Sequence, residues 1–370
     1  MRFDVIVVGG GVVGAAVTYF LARDGVRVRL LEGDFIGGGT TACGMGHVSI
    51  MDDSPAQFAL TARSTTLLAE LAPALSPDCE LTPCGAIWLA EDDTQLELVH
   101  AKHAWYRERG LDVEVLDPAA LADAEPELRR DLRGGLLMRS DSVLYPPAFA
   151  RWLVREAERL GADVKQHARV SELGSRTVVA NGERFVTNVV VNAAGAWAPQ
   201  LTPDLPIVPR KGHLVITDRR PGLLRHQLLE LGYLASAHSM SAESVAFNVQ
   251  PRVNGQVLIG SSRELVGWDG ALNHPLLGRM LDRAAHFLPA LERVTAIRAW
   301  TGFRPATPHK LPLIGIWQDG LWIAAGHEGL GITTALATGE LIADRFAGRR
   351  PALDATPFAP RRAAAAGGAA

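Results

Sequence analysis

The chain has 370 residues, more than one hydrophobic core usually supports, so two domains are expected. Hydrophobic residues make up 48% of the chain and charged residues 21%, which is the profile of a globular protein. The net charge of -3 gives no attraction for nucleic acid or an anionic membrane, which argues against either as a partner. Three cysteines fit neither an even-numbered disulfide framework nor a metal-binding CxxC spacing, so reduced thiols and no metal site are expected.

The first 35 residues or so predict a βαβ unit. Residues 3–8 (FDVIVV) form a continuous apolar run, as in a parallel strand that is buried on both faces. A helix is predicted over 13–24 and a second strand over 26–32. Asp4 and the glycines that follow argue against an export signal or a membrane helix, so a cytoplasmic protein is expected.

Helices and strands alternate along the next part of the chain. The pattern predicts helices over 55–75, 95–110 and 147–161, a strand over 85–90, short strands around 164, 170 and 178, and a buried strand over 185–194.

The pattern changes between about 206 and 305. Alternating segments such as HLVITD (213–218) and QVLIGSS (256–262) are separated by turn signals such as Asn254-Gly255, which predicts a mostly antiparallel sheet. A strand over 321–325 and a helix over 333–346 then return the chain to its first domain. The fold class that follows is α/β, a Rossmann layer joined to an α+β domain.

A glycine motif, Gly9-x-Gly11-x-x-Gly14, lies between the first predicted strand and helix, the context in which it indicates dinucleotide binding. Gly9 makes the tight turn, Gly11 lets the backbone approach a pyrophosphate, and Gly14 lets helix and strand pack closely. The pyrophosphate would meet the free N–H groups at the helix start, around Val12 and Val13.

Glu32 ends the second predicted strand and is followed by Gly33. A carboxylate there is placed to accept hydrogen bonds from the ribose hydroxyls of an adenosine, and it would repel a 2′-phosphate, which disfavours NADP. The alternative, a glycine-rich turn with no ligand, does not explain why strand, helix and acid are in register.

Five motifs occur in an order that resembles the D-amino-acid oxidase family of FAD enzymes, which includes glycine oxidase and sarcosine oxidase. They are DVIVVGGGVVG (4–14) with Glu32, TTACGM (40–45), VNAAGAWA (191–198), GFRPATPHKLPLIG (302–315) and AAGHEGLGIT (324–333). The resemblance covers essentially residues 3–346. It implies a Rossmann-type FAD-binding domain of the glutathione-reductase kind, with an α+β substrate domain.

The resemblance also implies how FAD is held. Thr40 and Thr41 match positions at the phosphates, Gly44 and Met45 match positions beside the flavin ring, and Val170 matches a valine whose backbone binds the adenine end. The loop 327–333 matches one whose N–H groups face the flavin N1–C2=O edge, where donors stabilise reduced flavin. The predicted cofactor set is Gly9, Gly11, Val12, Val13, Gly14, Glu32, Gly33, Thr40, Thr41, Gly44, Met45, Val170, His327, Glu328, Gly329, Leu330, Gly331, Ile332 and Thr333.

Arg304 matches the arginine that binds the substrate carboxylate in these oxidases. A guanidinium fork holds a carboxylate bidentately and thereby orients the adjacent Cα–H. A lone arginine is usually part of a surface salt bridge, but this one lies between two matched motifs. Some sarcosine oxidases attach flavin through a histidine; the spacing of His47 does not match theirs, so noncovalent FAD is expected.

The expected reaction is oxidation of the C–N bond of an amino acid or secondary amine by hydride transfer to flavin N5, giving an imine or keto acid. Glu328 replaces an arginine of glycine-oxidase-like enzymes. With GMGHVSIMDDSPAQ (44–57), it resembles the branch of hydroxyproline dehydrogenases, opine oxidases and the hydrogen cyanide synthase subunit, which often work in hetero-oligomers with other electron acceptors. A D-amino acid, for example a cyclic one such as a hydroxy-D-proline, is the favoured substrate. Opine, glycine or sarcosine oxidation and a flavin electron-relay subunit are the alternatives.

The expected domain limits follow from these motifs. The FAD-binding domain is predicted over 1–80, 145–205 and 305–350, and the substrate domain over 81–144 and 206–304. Residues 351–370 are predicted to be a tail whose low-complexity end (RRAAAAGGAA) is frayed.

Overall fold

The computed structural model describes residues 3–232 and 243–360. The chain divides into two compact units: unit 1 is Met1–Cys79, Tyr145–Arg210 and Phe303–Ala370, and unit 2 is Glu80–Leu144 and Lys211–Gly302. Arg304 therefore belongs to unit 1 and not to the second domain, where the sequence limits had put it. The boundary between the two units lies between Gly302 and Phe303, inside the strand Ala296–Ala306. Because the strand continues through this boundary, no turn residues in the sequence mark its position.

The elements of unit 1 are β1 (Val5–Val8), α1 (Val12–Arg23), β2 (Val28–Leu31), α2 (Gly39–Ala42), β3 (His47–Val48), α3 (Pro55–Leu71), α6 (Pro146–Arg159), β8 (Asp163–Lys165), β9 (Val170–Gly174), β10 (Thr177–Ala180), β11 (Glu183–Val186), β12 (Val189–Asn192), α7 (Ala198–Leu201), β18 (Leu313–Gln318), β19 (Leu321–Ala325) and α9 (Gly331–Phe346).

Unit 2 contains β4 (Ala86–Ala90), α4 (Asp93–Glu108), β5 (Val113–Leu116), α5 (Pro118–Ala124), β6 (Gly134–Met138), β7 (Ser142–Val143), β14 (Gln227–Glu230), β15 (Glu243–Pro251), β16 (Val257–Glu264) and α8 (His274–Phe287). The strands β13 (Val208–Thr217) and β17 (Ala296–Ala306) carry the chain from one unit to the other.

A six-stranded sheet in the order β18-β19-β12-β1-β2-β8 forms the centre of unit 1. Its strands are parallel except for the antiparallel pair β18 and β19. All four residues of β1 are buried, as the apolar run predicted for a strand that is covered on both faces. On this sheet α1 packs against α6 and α9. The predicted Rossmann βαβ unit is confirmed.

The predicted buried strand over 185–194 is wrong. The segment forms two strands, β11 and β12, which belong to different sheets. The chain turns at Thr187, whose hydroxyl donates to the Phe3 carbonyl at 3.0 Å, while Asn188 and Val189 bond to Asp4 through their N–H groups. The sequence gives no sign of such a break, because the apolar residues Phe185 and Val186 of β11 are followed after two residues by the three valines of β12.

Unit 2 is built on an eight-stranded sheet in the order β17-β13-β16-β15-β14-β4-β6-β5. Its strands β13 with β16, β16 with β15, β15 with β14, β4 with β6 and β6 with β5 pair antiparallel, and β14 with β4 is parallel, which agrees with a mostly antiparallel sheet. One face carries buried apolar side chains, among them Leu228, Phe247 and Ile259, which form a core with residues of α8. Phe247 stacks on Phe287 with ring centroids 4.4 Å apart.

Helix α8 was not predicted, since 206–305 was interpreted as strands. It begins with a conventional cap: the Asn273 side chain accepts from the N–H of Leu276 at 3.1 Å, and Pro275 occupies the first turn.

The predicted tail is in part folded. Phe358 is fully buried, so the chain up to residue 360 packs on unit 1, while the predicted frayed end over 361–370 lies outside the described residues. Within the described ranges, no helix is long and apolar enough to cross a membrane.

Candidate active site

Two glycines of the turn at residues 9–14, Gly9 and Gly14, have no room for a side chain. Gly9 has φ +106°, and a Cβ added to it would lie 2.6 Å from the carbonyl oxygen of Ala193. A Cβ on Gly14 would lie 1.9 Å from the carbonyl oxygen of Gly9. These positions therefore admit only glycine, for the packing reason that the motif predicts.

The start of α1 presents unused N–H groups. Gly11 is its N-cap and has no side-chain cap, and the first intrahelical bond runs from Ala15 to the Gly11 carbonyl. The N–H of Val12 donates to the Thr41 hydroxyl at 3.0 Å, which joins the turn to the second predicted loop. The other N–H groups of the first turn have no intrahelical acceptor, and the helix dipole adds positive potential there. This combination suits a pyrophosphate.

Glu32 is held at the end of β2 by the backbone. Its two carboxylate oxygens accept from the N–H of Gly10 at 2.6 Å and of Asp34 at 2.8 Å. A carboxylate has about four lone-pair sites, so capacity remains for ribose hydroxyls. A Cβ on Gly33 would lie 3.6 Å from the Cα of Arg169, which places the chain entering Val170 and β9 beside this acid.

The segments 40–45 and 327–333 meet in the structure. A Cβ on Gly44 would lie 3.0 Å from the Cδ1 of Ile332, and one on Gly331 would lie 4.0 Å from the Cγ2 of Val13. The Thr333 hydroxyl donates to the His47 carbonyl at 3.0 Å. Met45 is buried close by in sequence. The three glycine-containing segments predicted to hold FAD thus surround the start of α1.

His327 is enclosed and neutral. Burial lowers its pKa to about 3. Its Nε2 lies 3.0 Å from the Thr338 hydroxyl, which itself donates to the Thr334 carbonyl at 2.9 Å. Because that hydroxyl has one hydrogen, His327 must be the donor, so its hydrogen is on Nε2 and Nδ1 is an acceptor.

His47 is also kept neutral by burial, which lowers its pKa to about 3. Its Nε2 is shielded from solvent and has no hydrogen-bond partner among the residues that the structure describes. An orphaned buried nitrogen is a group that a ligand or an ordered water satisfies. Together with the glycines of the turn, the open N–H groups and Glu32, it shows that these residues fit a bound dinucleotide such as FAD.

Arg304 lies against the last loop. A Cβ added to Gly329 would be 3.7 Å from the Nε of Arg304. The same strand is tied to the second loop, since the Thr40 hydroxyl donates to the Phe303 carbonyl at 2.7 Å. The candidate carboxylate-binding residue therefore belongs to the same cluster as the predicted FAD residues.

Sequence reasoning missed Arg210. Its Nη1 lies 2.9 Å from the Oε1 of Glu328, and the two side chains are only 6% and 17% exposed. The N–H of Glu328 donates to the Pro305 carbonyl at 2.9 Å, next to Arg304. Glu328 was noted only as a replaced arginine. The partner could not be inferred, because 118 residues separate the two.

The fold and this cluster define a flavoprotein of the Rossmann type. A family model described as FAD dependent oxidoreductase (DAO) matches residues 4–345, and the chain belongs to that family. The chain is thus an FAD-dependent oxidoreductase.

Several known proteins are similar over their full length. A glycine oxidase of Pseudomonas aeruginosa is 30% identical, over 97% of this chain and 99% of the relative. Hydrogen cyanide synthase subunit HcnC of Pseudomonas protegens is 28% identical, over 99% and 97%. The crystal structure of glycine oxidase from Geobacillus kaustophilus matches with a TM-score of 0.88 and 27% identity, over 97% and 98% of the two chains.

Proposed function

We propose that the protein oxidises the C–N bond of a small amine that carries a carboxylate, an amino acid or a secondary amine. The observation that carries this proposal is the position of Arg304 beside Gly329, within the cluster that fits FAD. Relatives named glycine oxidase, at 28–30% identity over nearly the whole chain, support it. Unit 1 is the proposed FAD-binding domain and unit 2 the proposed substrate domain.

Arg304 would bind the substrate carboxylate through a bidentate pair of charge-assisted hydrogen bonds. Such a fork fixes the direction of the neighbouring Cα–H, which lowers the entropic part of the barrier. FAD, when bound, supplies the acceptor for a hydride from Cα, while the amine gives up a proton and becomes an imine that water hydrolyses.

The enclosed histidines are not proposed as bases. With a pKa of about 3, His47 and His327 are weak bases and do not take up a proton at neutral pH. The amine therefore enters in its neutral form, and no side chain of this cluster has to remove a proton from carbon.

The start of α9 is the proposed electrostatic support for reduced flavin. Within the loop, the N–H groups of Glu328 and Leu330 are already used by the carbonyls of Pro305 and His327. Helix α9 begins at Gly331 without a side-chain cap, so the open donors are those of its first turn, around Ile332. The helix dipole there favours negative charge. We propose that FAD is bound to the protein noncovalently.

Among substrates, we propose a D-amino acid such as a hydroxy-D-proline, with opine, glycine and sarcosine as alternatives. A second function, electron relay within a hetero-oligomer, is favoured by one observation: HcnC, a relative over 99% of this chain, is named as a subunit.

The test is anaerobic reduction of the holoenzyme by D- and L-amino acids, prolines, sarcosine and opines, followed as bleaching of the flavin. We expect Arg304→Met to retain FAD and to lose at least about 100-fold in the second-order rate of reduction, since two charge-assisted hydrogen bonds are removed. Arg304→Lys keeps a positive charge but lacks the bidentate geometry of the guanidinium. Its second-order rate of flavin reduction should lie between those of the wild type and Arg304→Met. Reduction of Arg304→Met at the wild-type rate would contradict the proposal and favour electron relay. Readmitting air then shows whether oxygen is the acceptor.

A further inference from the structure

The eight-stranded sheet of unit 2 has a second face, opposite the one that packs on α8. Leu228 of β14 and Val249 of β15 are paired and belong to the core that includes α8. Successive side chains of a strand point to opposite faces. The next pair of this ladder, Leu229 with Asn248, therefore faces away from α8. Gln227, two residues before Leu229, lies on the same second face.

The neighbours of these amides on the second face are apolar and buried. Ala86 of β4 pairs with Gln227, and Trp88 follows Ala86 on that face. Met138 of β6 pairs with Ala86 from the other side and is also buried. Gln227 and Asn248 are themselves only 1% and 4% exposed. Two amide side chains are thus enclosed beside apolar ones.

Both amides have polar atoms that lack a partner. The Oε1 and Nε2 of Gln227 and the Oδ1 of Asn248 are shielded from solvent and form no hydrogen bond with any residue that the structure describes. The two residues are diagonal neighbours across β14 and β15, about 7–8 Å apart, a separation that long side chains can span. Buried polar atoms of this kind cost free energy until a ligand or an ordered water binds them.

The backbone holds Gln227 in a fixed position. Its N–H donates to the Gly85 carbonyl at 3.1 Å. The Glu125 carboxylate accepts from the N–H groups of the two preceding residues, Arg225 at 3.0 Å and His226 at 2.6 Å. The open donor and acceptor of the amide are therefore presented by a strand whose start is already fixed, as in a preorganised binding site.

We propose that Gln227 and Asn248 form a subsite for an uncharged hydrogen-bonding group of the substrate, a hydroxyl or a carboxamide. This inference rests on the proposed function, in which unit 2 is the substrate domain. A hydroxyl can accept from the Nε2 of Gln227 and donate to the Oδ1 of Asn248, so one group can engage both amides.

The chemistry of the pair disfavours other substituents. Neither amide carries a charge, so an ionised substituent would lose hydration there without gaining a counter-charge from the pair. An apolar substituent would leave both amides without partners, which is the basis on which sites that bind a hydroxyl reject analogues lacking it. Among the candidate substrates, the subsite favours a hydroxyproline over glycine and sarcosine, which have no such group.

The experiment measures how a hydroxyl changes recognition by the FAD-loaded protein. Calorimetry compares two inert ring carboxylates, cyclopentanecarboxylate and 3-hydroxycyclopentanecarboxylate. Anaerobic flavin reduction compares proline with 4-hydroxyproline, each enantiomer separately. We expect the wild type to favour the hydroxylated member of at least one pair by about 10-fold or more. Gln227→Met and Asn248→Leu, which introduce apolar side chains of similar size, should abolish that preference.

Thermal unfolding of the same variants without substrate separates this role from a structural one. An amide whose polar atoms lack partners can be replaced by an apolar side chain without loss, so both variants should have the Tm of the wild type or a higher one.

Asn192→Leu is the matched control, because Asn192 is a fully buried amide of unit 1 that is hydrogen-bonded at both ends. Its Nδ2 donates to the Ala198 carbonyl at 3.0 Å and to the Thr202 hydroxyl at 2.9 Å. Its Oδ1 accepts from the N–H of Ala194 at 3.2 Å. This variant should lower the Tm by about 5 °C or more, since three groups lose their partner.

The outcomes separate the two proposals. If Gln227→Met and Asn248→Leu lower the Tm as Asn192→Leu does, the amides bind ordered water or other parts of the protein, and the subsite is wrong. It is also wrong if the wild type has no preference for a hydroxyl in any pair, or if the variants keep that preference. These results leave the carboxylate clamp standing. The proposed function itself fails only if Arg304→Met is reduced by amines at the wild-type rate.

Discussion

The turn at residues 9–14 and the loop at 327–333 both border the proposed FAD site, and opposite features shape them. In the turn the absence of side chains is decisive, since a Cβ on Gly14 would overlap the Gly9 carbonyl. In the loop, side chains from distant parts of unit 1 hold the backbone, as Arg210 does through Glu328. The glycine positions of the turn should tolerate no added side chain. In the loop, each side-chain contact that is removed should lower the free energy of unfolding by a smaller amount.

The largest effect is expected from Gly14→Ala. The new methyl would lie 1.9 Å from a backbone oxygen, which cannot rotate away as a side chain can. We expect a loss of about 3 kcal/mol or more in the free energy of unfolding, and purified protein nearly free of FAD. Thermal unfolding and the flavin absorbance of the purified protein measure both.

Gly278→Ala is the matched control, because Gly278 lies in α8 and a Cβ added there meets nothing within 4 Å. Replacing a helical glycine by alanine should stabilise by up to about 1 kcal/mol. If Gly14→Ala and Gly278→Ala have the same stability and the same flavin content, close packing does not exclude a side chain at Gly14.

The loop differs in its response to pH. Burial lowers the folded-state pKa of His327 from 6.5 to about 3, so the unfolded chain binds this proton and the folded chain does not. The stability that the neutral imidazole contributes is complete above pH 6.5 and is lost as the pH falls toward 3. The expected slope from this residue is about 1.4 kcal/mol per pH unit.

His327→Asn isolates this contribution from that of other titrating groups. Between pH 6 and about 4.5, the free energy of unfolding of the variant should fall less steeply than that of the wild type by this amount. His47→Gln should act in the same way, since burial lowers the pKa of His47 to about 3 as well. If the free energy of unfolding of wild type and variant depends on pH in the same way, the imidazole has the same pKa in the folded and the unfolded chain, which would contradict the prediction.

The same contrast explains what could be predicted from the sequence. The βαβ unit and the glycine turn depend on neighbours within a few residues, so pattern and spacing were sufficient, and Glu32 was found as the acid at the end of β2. The pairing of Arg210 with Glu328 was not accessible, because it joins positions 118 residues apart and neither residue belongs to a periodic pattern.

Local patterns also failed where tertiary contacts override them. The apolar run 185–194 divides into β11 and β12 because Thr187 and its neighbours form hydrogen bonds with Phe3 and Asp4, near the start of the chain. Arg304 was selected from its motif, yet its place beside Gly329 became visible only in the folded unit.

The smallest expected effect tests whether one hydroxyl holds the loop. Thr333 is 3% exposed, and its hydroxyl donates to the His47 carbonyl at 3.0 Å and accepts from the Ser49 N–H at 3.3 Å. Thr333→Val keeps the shape but leaves these two groups without their partner, which should cost about 1–2 kcal/mol. Thr333→Ser keeps the oxygen and should lose less than half of that. Chemical denaturation measures the free energy of unfolding of both variants. If Thr333→Ser and Thr333→Val are destabilised equally, packing of the Thr333 methyl group stabilises the loop and the hydrogen bonds contribute little.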